Sequence, residues 1–231
     1  MKVLLSWSSG KDSAWALHVL RRDGVGEVAG LLTSLNDSAG RVSMHGVREE
    51  ILRAQAAAAG LPVQIIRLPW PCTNEIYEER LAAAVKQAVA DGYTHVAFGD
   101  LFLEDVRAYR EARLAGTGLA PLFPLWGIPT AALAREMIAG GLRARIATLD
   151  PRVMPRELIG EEYDASLLAR LPPSVDPCGE RGEFHTCATA GPMFAVPIPV
   201  TSGEVVEREG FVYADLLLPA ATASPASAAG S

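Results

Sequence analysis

Val3-Leu4-Leu5-Ser6-Trp7-Ser8-Ser9-Gly10-Lys11-Asp12-Ser13 is the stretch on which the reading of this chain turns. Val3, Leu4 and Leu5 form an apolar run of strand character. Ser8, Ser9 and Gly10 form a tight small-residue turn. A helix then opens at Asp12 or Ser13 and carries Trp15, Leu17 and Leu20. A strand–turn–helix of this kind aims backbone N–H groups and a helix N-terminus at one point, which binds phosphate or pyrophosphate. Lys11 adds a positive charge, and the serines add hydroxyl donors.

The stretch is not a Walker A loop. Leu5 stands where the first glycine of that loop belongs, and Asp12 follows the lysine where a metal-binding hydroxyl is needed. The dinucleotide fingerprint G-x-G-x-x-G is also absent from it. Ser8-Ser9-Gly10-Lys11-Asp12-Ser13 is instead similar to S-[GS]-G-K-D-S, the pyrophosphate loop of ATP pyrophosphatases, which cleave ATP between the α and β phosphates. The bland alternative is a Ser/Gly turn with a chance lysine. The strand before it and the helix after it weigh against that.

The chain has 231 residues, 49% of them hydrophobic, enough for one large domain or one domain with a small companion. Its net charge of −6 argues against a general nucleic-acid binder, which carries a basic excess. Arginine outnumbers lysine heavily and alanine is abundant, the coding bias of a GC-rich genome, which points toward a bacterium. No apolar run reaches transmembrane length, and no signal peptide is expected from the strand-like N-terminus. Three widely spaced cysteines make no disulfide framework. A cytoplasmic protein is expected.

Strand-like and helix-like segments alternate through the first half. Strands are expected over 2–6, 27–33, 63–68 and 94–99, with helices over 13–22, 47–59, 74–91 and 104–115. This alternation predicts an α/β fold: a Rossmann-like parallel sheet with helices on both faces. Ligands then sit at the carboxyl ends of the strands, so the loop after Ser6, Thr33 and the turn after Gly99 should share one rim. Residues 119–129, rich in Pro, Gly and aromatic residues, read as a crossing segment. A helix over 130–140 and a strand over 144–149 follow. Residues 193–199, 204–209 and 211–218 read as a terminal β-rich portion, with Gly203 at a hairpin turn and Gly210 at a bulge. The expected division is an ATP domain over 1–126, a smaller α+β substrate domain over 127–218, and a disordered tail over 219–231.

Three further clusters carry chemistry. His45, in Met44-His45-Gly46-Val47-Arg48, either contacts nucleotide or is a helix-entry histidine satisfied by backbone. Gly99-Asp100 ends a predicted strand, where Asp100 can hold Mg²⁺ or a substrate group. Arg107, Arg110 and Glu111 lie three and four apart on the next helix, with Tyr109 between them; the bland reading is a solvated face with ordinary ion pairs. In Asp176-Pro177-Cys178-Gly179-Glu180-Arg181-Gly182-Glu183-Phe184-His185-Thr186-Cys187, glycines flank two charged residues, and Glu183 and His185 project to one side of an extended segment. Zinc on Cys178, His185 and Cys187 would need distant Cys72 as its fourth ligand and lacks the usual spacing.

Together, Ser8 to Ser13, His45-Gly46, Gly99-Asp100 with Tyr109-Arg110-Glu111, and Gly179-Glu180-x-Gly182-Glu183-Phe184-His185-Thr186 resemble the diphthine–ammonia ligase (diphthamide synthase) family of the PP-loop superfamily, its bacterial-type branch most closely. The resemblance covers the chain to about Leu218. It implies a Rossmann-like ATP domain and a smaller substrate domain. It also implies that ATP adenylates a carboxylate, pyrophosphate leaves, and ammonia attacks the acyl adenylate to give an amide. In the characterised branch the carboxylate is diphthine on translation elongation factor 2. That modification is archaeal and eukaryotic, so a bacterial chain is expected to use another carboxylate. Relatives carry Phe where this chain has Cys187.

On this reading ATP and Mg²⁺ are the cofactors, and the partners are ATP, ammonia and a carboxylate-bearing small molecule or modified side chain. A homodimer is admitted; membrane and nucleic acid are not expected. Ser8, Ser9, Gly10, Lys11, Asp12 and Ser13 would hold the phosphates, with Leu32, Thr33, His45, Gly99 and Asp100 around the nucleotide and Asp100 on the metal. Lys11, Asp12, Glu180, Glu183 and His185 are the expected catalytic residues. Arg107, Tyr109, Arg110, Glu111, Gly179, Gly182, Phe184 and Thr186 join Glu180, Glu183 and His185 around the substrate. Two rivals differ in class. A tRNA-thiolating enzyme needs cysteine pairs and basic surface, and a non-catalytic ATP or AMP sensor needs no acidic late loop.

Overall fold

A computed structural model describes residues 1–219 of the chain. The expected tail therefore lies outside the described residues, apart from Pro219.

The first half builds a mostly parallel sheet. β1 (Lys2–Ser6), β2 (Glu27–Asn36), β4 (Val63–Leu68), β5 (His95–Ala97) and β6 (Ala120–Leu122) run parallel in the spatial order β4-β2-β1-β5-β6. A two-residue strand, β3 (Arg41–Val42), pairs antiparallel with the end of β2. α1 (Lys11–Arg22), α2 (Glu49–Ala59), α3 (Asn74–Ala90) and α4 (Glu104–Leu114) connect the strands. Alternation along β1 explains both layers. Val3 and Leu5 face α1 and α2 in the main core, and Leu4 faces the opposite side with Ala84 and Ala88 of α3 and Leu114 of α4. A strand buried on both faces reads as an unbroken apolar run, as Val3-Leu4-Leu5 does.

The second half is a separate antiparallel sheet of order β8-β7-β10-β9, built from β7 (Arg143–Leu149), β8 (Phe184–Ala190), β9 (Thr201–Arg208) and β10 (Phe211–Leu217). α5 (Thr130–Ala139) leads into it, and α6 (Ala165–Arg170), capped by the Asp164 carboxylate accepting from the Leu167 amide at 2.8 Å, lies between β7 and β8. Leu149, Phe184, Val212 and Leu216 join Leu5, Leu17 and Leu31 in one continuous core, so both sheets share a single apolar interior.

Several boundaries differ from the sequence reading. α1 starts at Lys11, two residues ahead of Ser13, because Gly10 adopts the extended conformation that opens a helix. β2 runs on to Asn36. The presumed crossing segment contains β6, whose Pro121 is tolerated because β6 is a sheet edge. Residues 193–199 form no strand; Pro197 and Pro199 supply no N–H, and Ala195 N donates to Ala58 O instead of to a ladder. The two glycines exchange roles. Glu209 and Gly210, at φ 52° and 81°, make the β9–β10 turn. Gly203 lies inside β9, where the register with β10 shifts between Ala214 and Leu216 and a Cβ would come 2.8 Å from Asp215 O.

Asp215 ties the sheets together. From β10 it accepts Arg41 Nη2 at 2.8 Å and Arg48 Nε and Nη2 at 2.8 and 2.7 Å. These bonds, Arg48's foremost, hold its carboxyl down at about 2. The pairing contributes fully above the ordinary carboxylate pKa of about 4 and is lost as pH falls toward 2. Asp215→Asn should therefore cost about 1–3 kcal/mol near neutrality. Chemical denaturation across pH checks this: the gap to wild type should close in acid.

Candidate active site

The turn after β1 is held in an unusual shape. Ser9 sits at φ 67°, where residues other than glycine are uncommon. Its carbonyl accepts Ala188 N of β8 at 2.9 Å and Gln55 Nε2 at 3.1 Å. Gln55, fully buried in α2, also donates to Ala188 O at 2.7 Å and accepts from Trp7 Nε1 at 3.0 Å. Inside the turn, Gly10 N donates to Ser8 Oγ at 3.3 Å, and Ser13 Oγ donates to Gly10 O at 3.0 Å. Lys11 N donates to Thr186 Oγ1 at 3.0 Å. The turn after β1 and β8 are thus built onto each other.

The end of β5 presses on the same helix start. A Cβ at Gly99 would meet Asp12 C at 2.9 Å and Ser13 N at 3.0 Å, both backbone atoms that cannot move aside cheaply. Gly99→Ala should cost about 1–3 kcal/mol by overpacking. Thermal melting of the variant checks this.

Lys11 reaches toward the late segment. Its side chain is 2% exposed, and its Nζ donates to Asp12 Oδ2 at 2.9 Å and to the Cys178 carbonyl. The ammonium lies 5.5 Å and 5.3 Å from the ring centres of Tyr163 and Phe184. Burial alone would lower its pKa; Asp12 beside it, with further acidic neighbours, leaves it raised, so the lysine stays charged. Asp12 keeps a second oxygen, Oδ1, buried and without a hydrogen-bond partner.

The late segment folds into a tight loop over this pair. Asp176 Oδ1 accepts Cys178 N at 2.9 Å and Glu180 N at 3.4 Å, and Oδ2 accepts Thr130 Oγ1 at 2.6 Å. Glu183 Oε1 accepts Asp176 N at 3.0 Å, and its Oε2 accepts Arg181 N at 2.9 Å. Both Glu183 oxygens therefore clamp the loop. Gly179 (φ 68°) is required, since a Cβ there would strike Phe184 O at 2.7 Å, and Gly182 (φ 85°) completes the turn. Glu180 differs from Glu183. It reaches across the rim, accepting Leu101 N at 2.8 Å. Burial raises its pKa to about 7, with Asp12 and Asp100 adding to the rise.

The structure divides the residues expected on α4. Arg110 pairs with Asp100 (3.0 and 3.4 Å) and covers the Phe98 ring, so both stand at the rim. Arg107 stacks on Phe123 and Trp126 and pairs with Glu111 at 2.8 Å. Tyr109 turns to α3, donating to Glu78 Oε1 at 3.0 Å. The carbonyl of Leu32 is taken by Trp7 N at 2.7 Å, while the buried Thr33 hydroxyl has no partner.

Two imidazoles stand beside the loop. His45 packs on Gly10, where a Cβ would lie 2.6 Å from His45 Cε1, and its Nδ1 is 3.1 Å from Thr186 O. The His45 and His185 ring centres are 4.5 Å apart. Burial lowers both, His45 to about 4 and His185 well below its usual value with His45 and Lys11 adding to the effect. Both rings are neutral near pH 7.

Burial raises the Cys178 and Cys187 thiols to about 12. Neither is a ready thiolate, and Cys72, Cys178 and Cys187 are all free. Among the described residues no three His, Cys, Asp or Glu side chains are arranged to hold a metal alone. A Mg²⁺ ion shared with phosphate oxygens is a different demand, needing one or two carboxylates. Asp12 Oδ1, an orphaned acceptor beside the turn, fits that demand, with Asp100 at the same rim. The unpartnered hydroxyls of Ser9 and Thr33 likewise fit a nucleotide with phosphate and base acceptors.

Sequence reasoning passed over Gln55, Tyr163 and Asp176. Gln55 had a signal, a lone amide in the alanine-rich face of α2. Tyr163, whose hydroxyl donates to Pro177 O at 2.7 Å, had none. Asp176 lay inside the late motif without a role.

Among the described residues no helix is long and apolar enough to cross a membrane. A search of curated proteins finds no match. Residues 1–119, just over half of the chain, match the family model of the diphthamide synthase N-terminal domain. With a pyrophosphate loop at the carboxyl rim of a mostly parallel sheet, the chain belongs to the diphthamide synthase N-terminal domain family, a family of PP-loop ATP-using enzymes.

Proposed function

We propose that this protein is an ATP-dependent carboxylate–ammonia ligase forming AMP and pyrophosphate. One observation carries the reading: the acidic late segment is bonded directly to the nucleotide loop, through Ser9 O, Lys11 N and Lys11 Nζ. A group that handles the second substrate thus stands where the first is cleaved.

The substrate carboxylate is already ionised and needs no base. Its oxygen attacks the α-phosphorus of ATP, the α–β phosphoanhydride bond breaks, and pyrophosphate leaves. The turn and the N-terminus of α1 steady that leaving charge. Asp12 and Asp100 would hold Mg²⁺, which would supply charge neutralisation to the departing pyrophosphate. Ammonia nitrogen then attacks the acyl carbon, the acyl–phosphate C–O bond breaks, and AMP leaves. Glu180, poised near neutrality, takes the proton that the attacking ammonia nitrogen loses as the amide forms. Lys11 and Glu183 act as positioning residues, one holding Asp12 and the Cys178 carbonyl, the other closing the loop.

The test is amide formation. With ATP, [¹⁵N]ammonium and pooled cellular carboxylic acids, the protein should yield AMP and a ¹⁵N-labelled amide in equal amounts. AMP without nitrogen incorporation, at any ammonium concentration, contradicts the ligase reading.

A further inference from the structure

A cleft of about 550 Å³ lies beyond the histidine pair, between the first sheet's rim and the β9–β10 hairpin. Its volume is that of a small-molecule site. Asn36 and Leu68, the last residues of β2 and β4, form one wall, and Phe211 and Tyr213 of β10 form the other. Trp70 lines it and is 60% exposed, a large apolar ring left facing solvent. His185 also lines it, and through the His45 ring it reaches Gly10 of the nucleotide loop. The cleft and the nucleotide loop are thus separated by two neighbouring imidazole rings, tilted 37° to each other.

From this we propose that the cleft binds the acceptor as a free small carboxylic acid with a planar apolar body. The body lies among Trp70, Phe211 and Tyr213, and the carboxyl end is directed toward His185 and the loop. The inference rests on the ligase reading of the site. Aromatic walls favour a flat apolar partner because ring faces stack at little entropic cost. The neutral His185 imidazole and the Ser43 hydroxyl, which also line the cleft, offer uncharged hydrogen-bond donors to a carboxylate.

Calorimetric titration of the full chain with 2-naphthoate, and separately with a non-hydrolysable ATP analogue, tests this. Naphthoate should bind in the millimolar range or tighter, and Trp70→Ala and Phe211→Ala should each weaken it roughly tenfold while leaving the nucleotide's affinity unchanged. Absence of naphthoate binding, or binding that neither variant weakens, overturns the proposal. Loss of nucleotide affinity in the variants also overturns it, since the cleft would then belong to adenosine. None of these readouts uses turnover, so a failure of the ligase reading appears in the ¹⁵N assay and a failure of the cleft appears here.

Discussion

Lys11→Ala should melt roughly 10 °C below wild type and release pyrophosphate at least a hundredfold more slowly. The stability loss follows from geometry. The ammonium is buried between Asp12 Oδ2 and the Cys178 carbonyl, with the Tyr163 and Phe184 rings beside it. Removing it leaves a largely buried carboxylate and a carbonyl without a donor, and breaking a buried pair this way costs about 3–5 kcal/mol. Lys11→Met, which restores the apolar stem but not the charge, should recover only part of the melting temperature and none of the rate. Calorimetric melting and a coupled pyrophosphate assay on both variants check this. A variant that melts like wild type yet cannot cleave ATP would mean that Lys11 reaches the phosphates directly.

The parts of this site that the sequence disclosed were local ones. The turn from Ser8 to Ser13 was legible because its residue types suit one backbone shape. The alternation of strands and helices was legible because β1 is buried on both faces and the helices carry one apolar side. The direction of Lys11 was not legible. A lysine in a phosphate loop suggests a phosphate ligand, and only the late loop, far away in sequence, supplies the carbonyl and rings that it also meets. Glu180 and Glu183 looked alike for the same reason. They sit three residues apart, but backbone amides of Asp176 and Arg181 consume one, and the Leu101 amide meets the other across the rim. The roles of Gly203 and Gly210 were exchanged because strand register, not residue type, decides which glycine turns and which yields space.

Glu180→Gln should cut amide formation by a factor of about 10² to 10⁴ while sparing carboxylate-dependent ATP–pyrophosphate exchange. The variant keeps an acceptor for Leu101 N and removes the proton-accepting carboxylate. Because burial holds the Glu180 carboxyl at about 7, its basic form accumulates as pH rises through that value. Wild-type amide formation should climb over the same interval and the variant's should be flat there. Rate profiles with ammonium concentration adjusted to fixed free ammonia check the sign. A variant that loses exchange and amide formation equally would place Glu180 in nucleotide binding instead.

The claim beneath all of this is that the turn after β1 presents ATP for attack at its innermost phosphorus. Product analysis by ³¹P NMR after incubation with ATP, Mg²⁺, ammonium and a pool of carboxylic acids addresses it most directly. The account predicts AMP and pyrophosphate, and neither in Asp12→Ala. ADP and orthophosphate from the wild-type protein would contradict it.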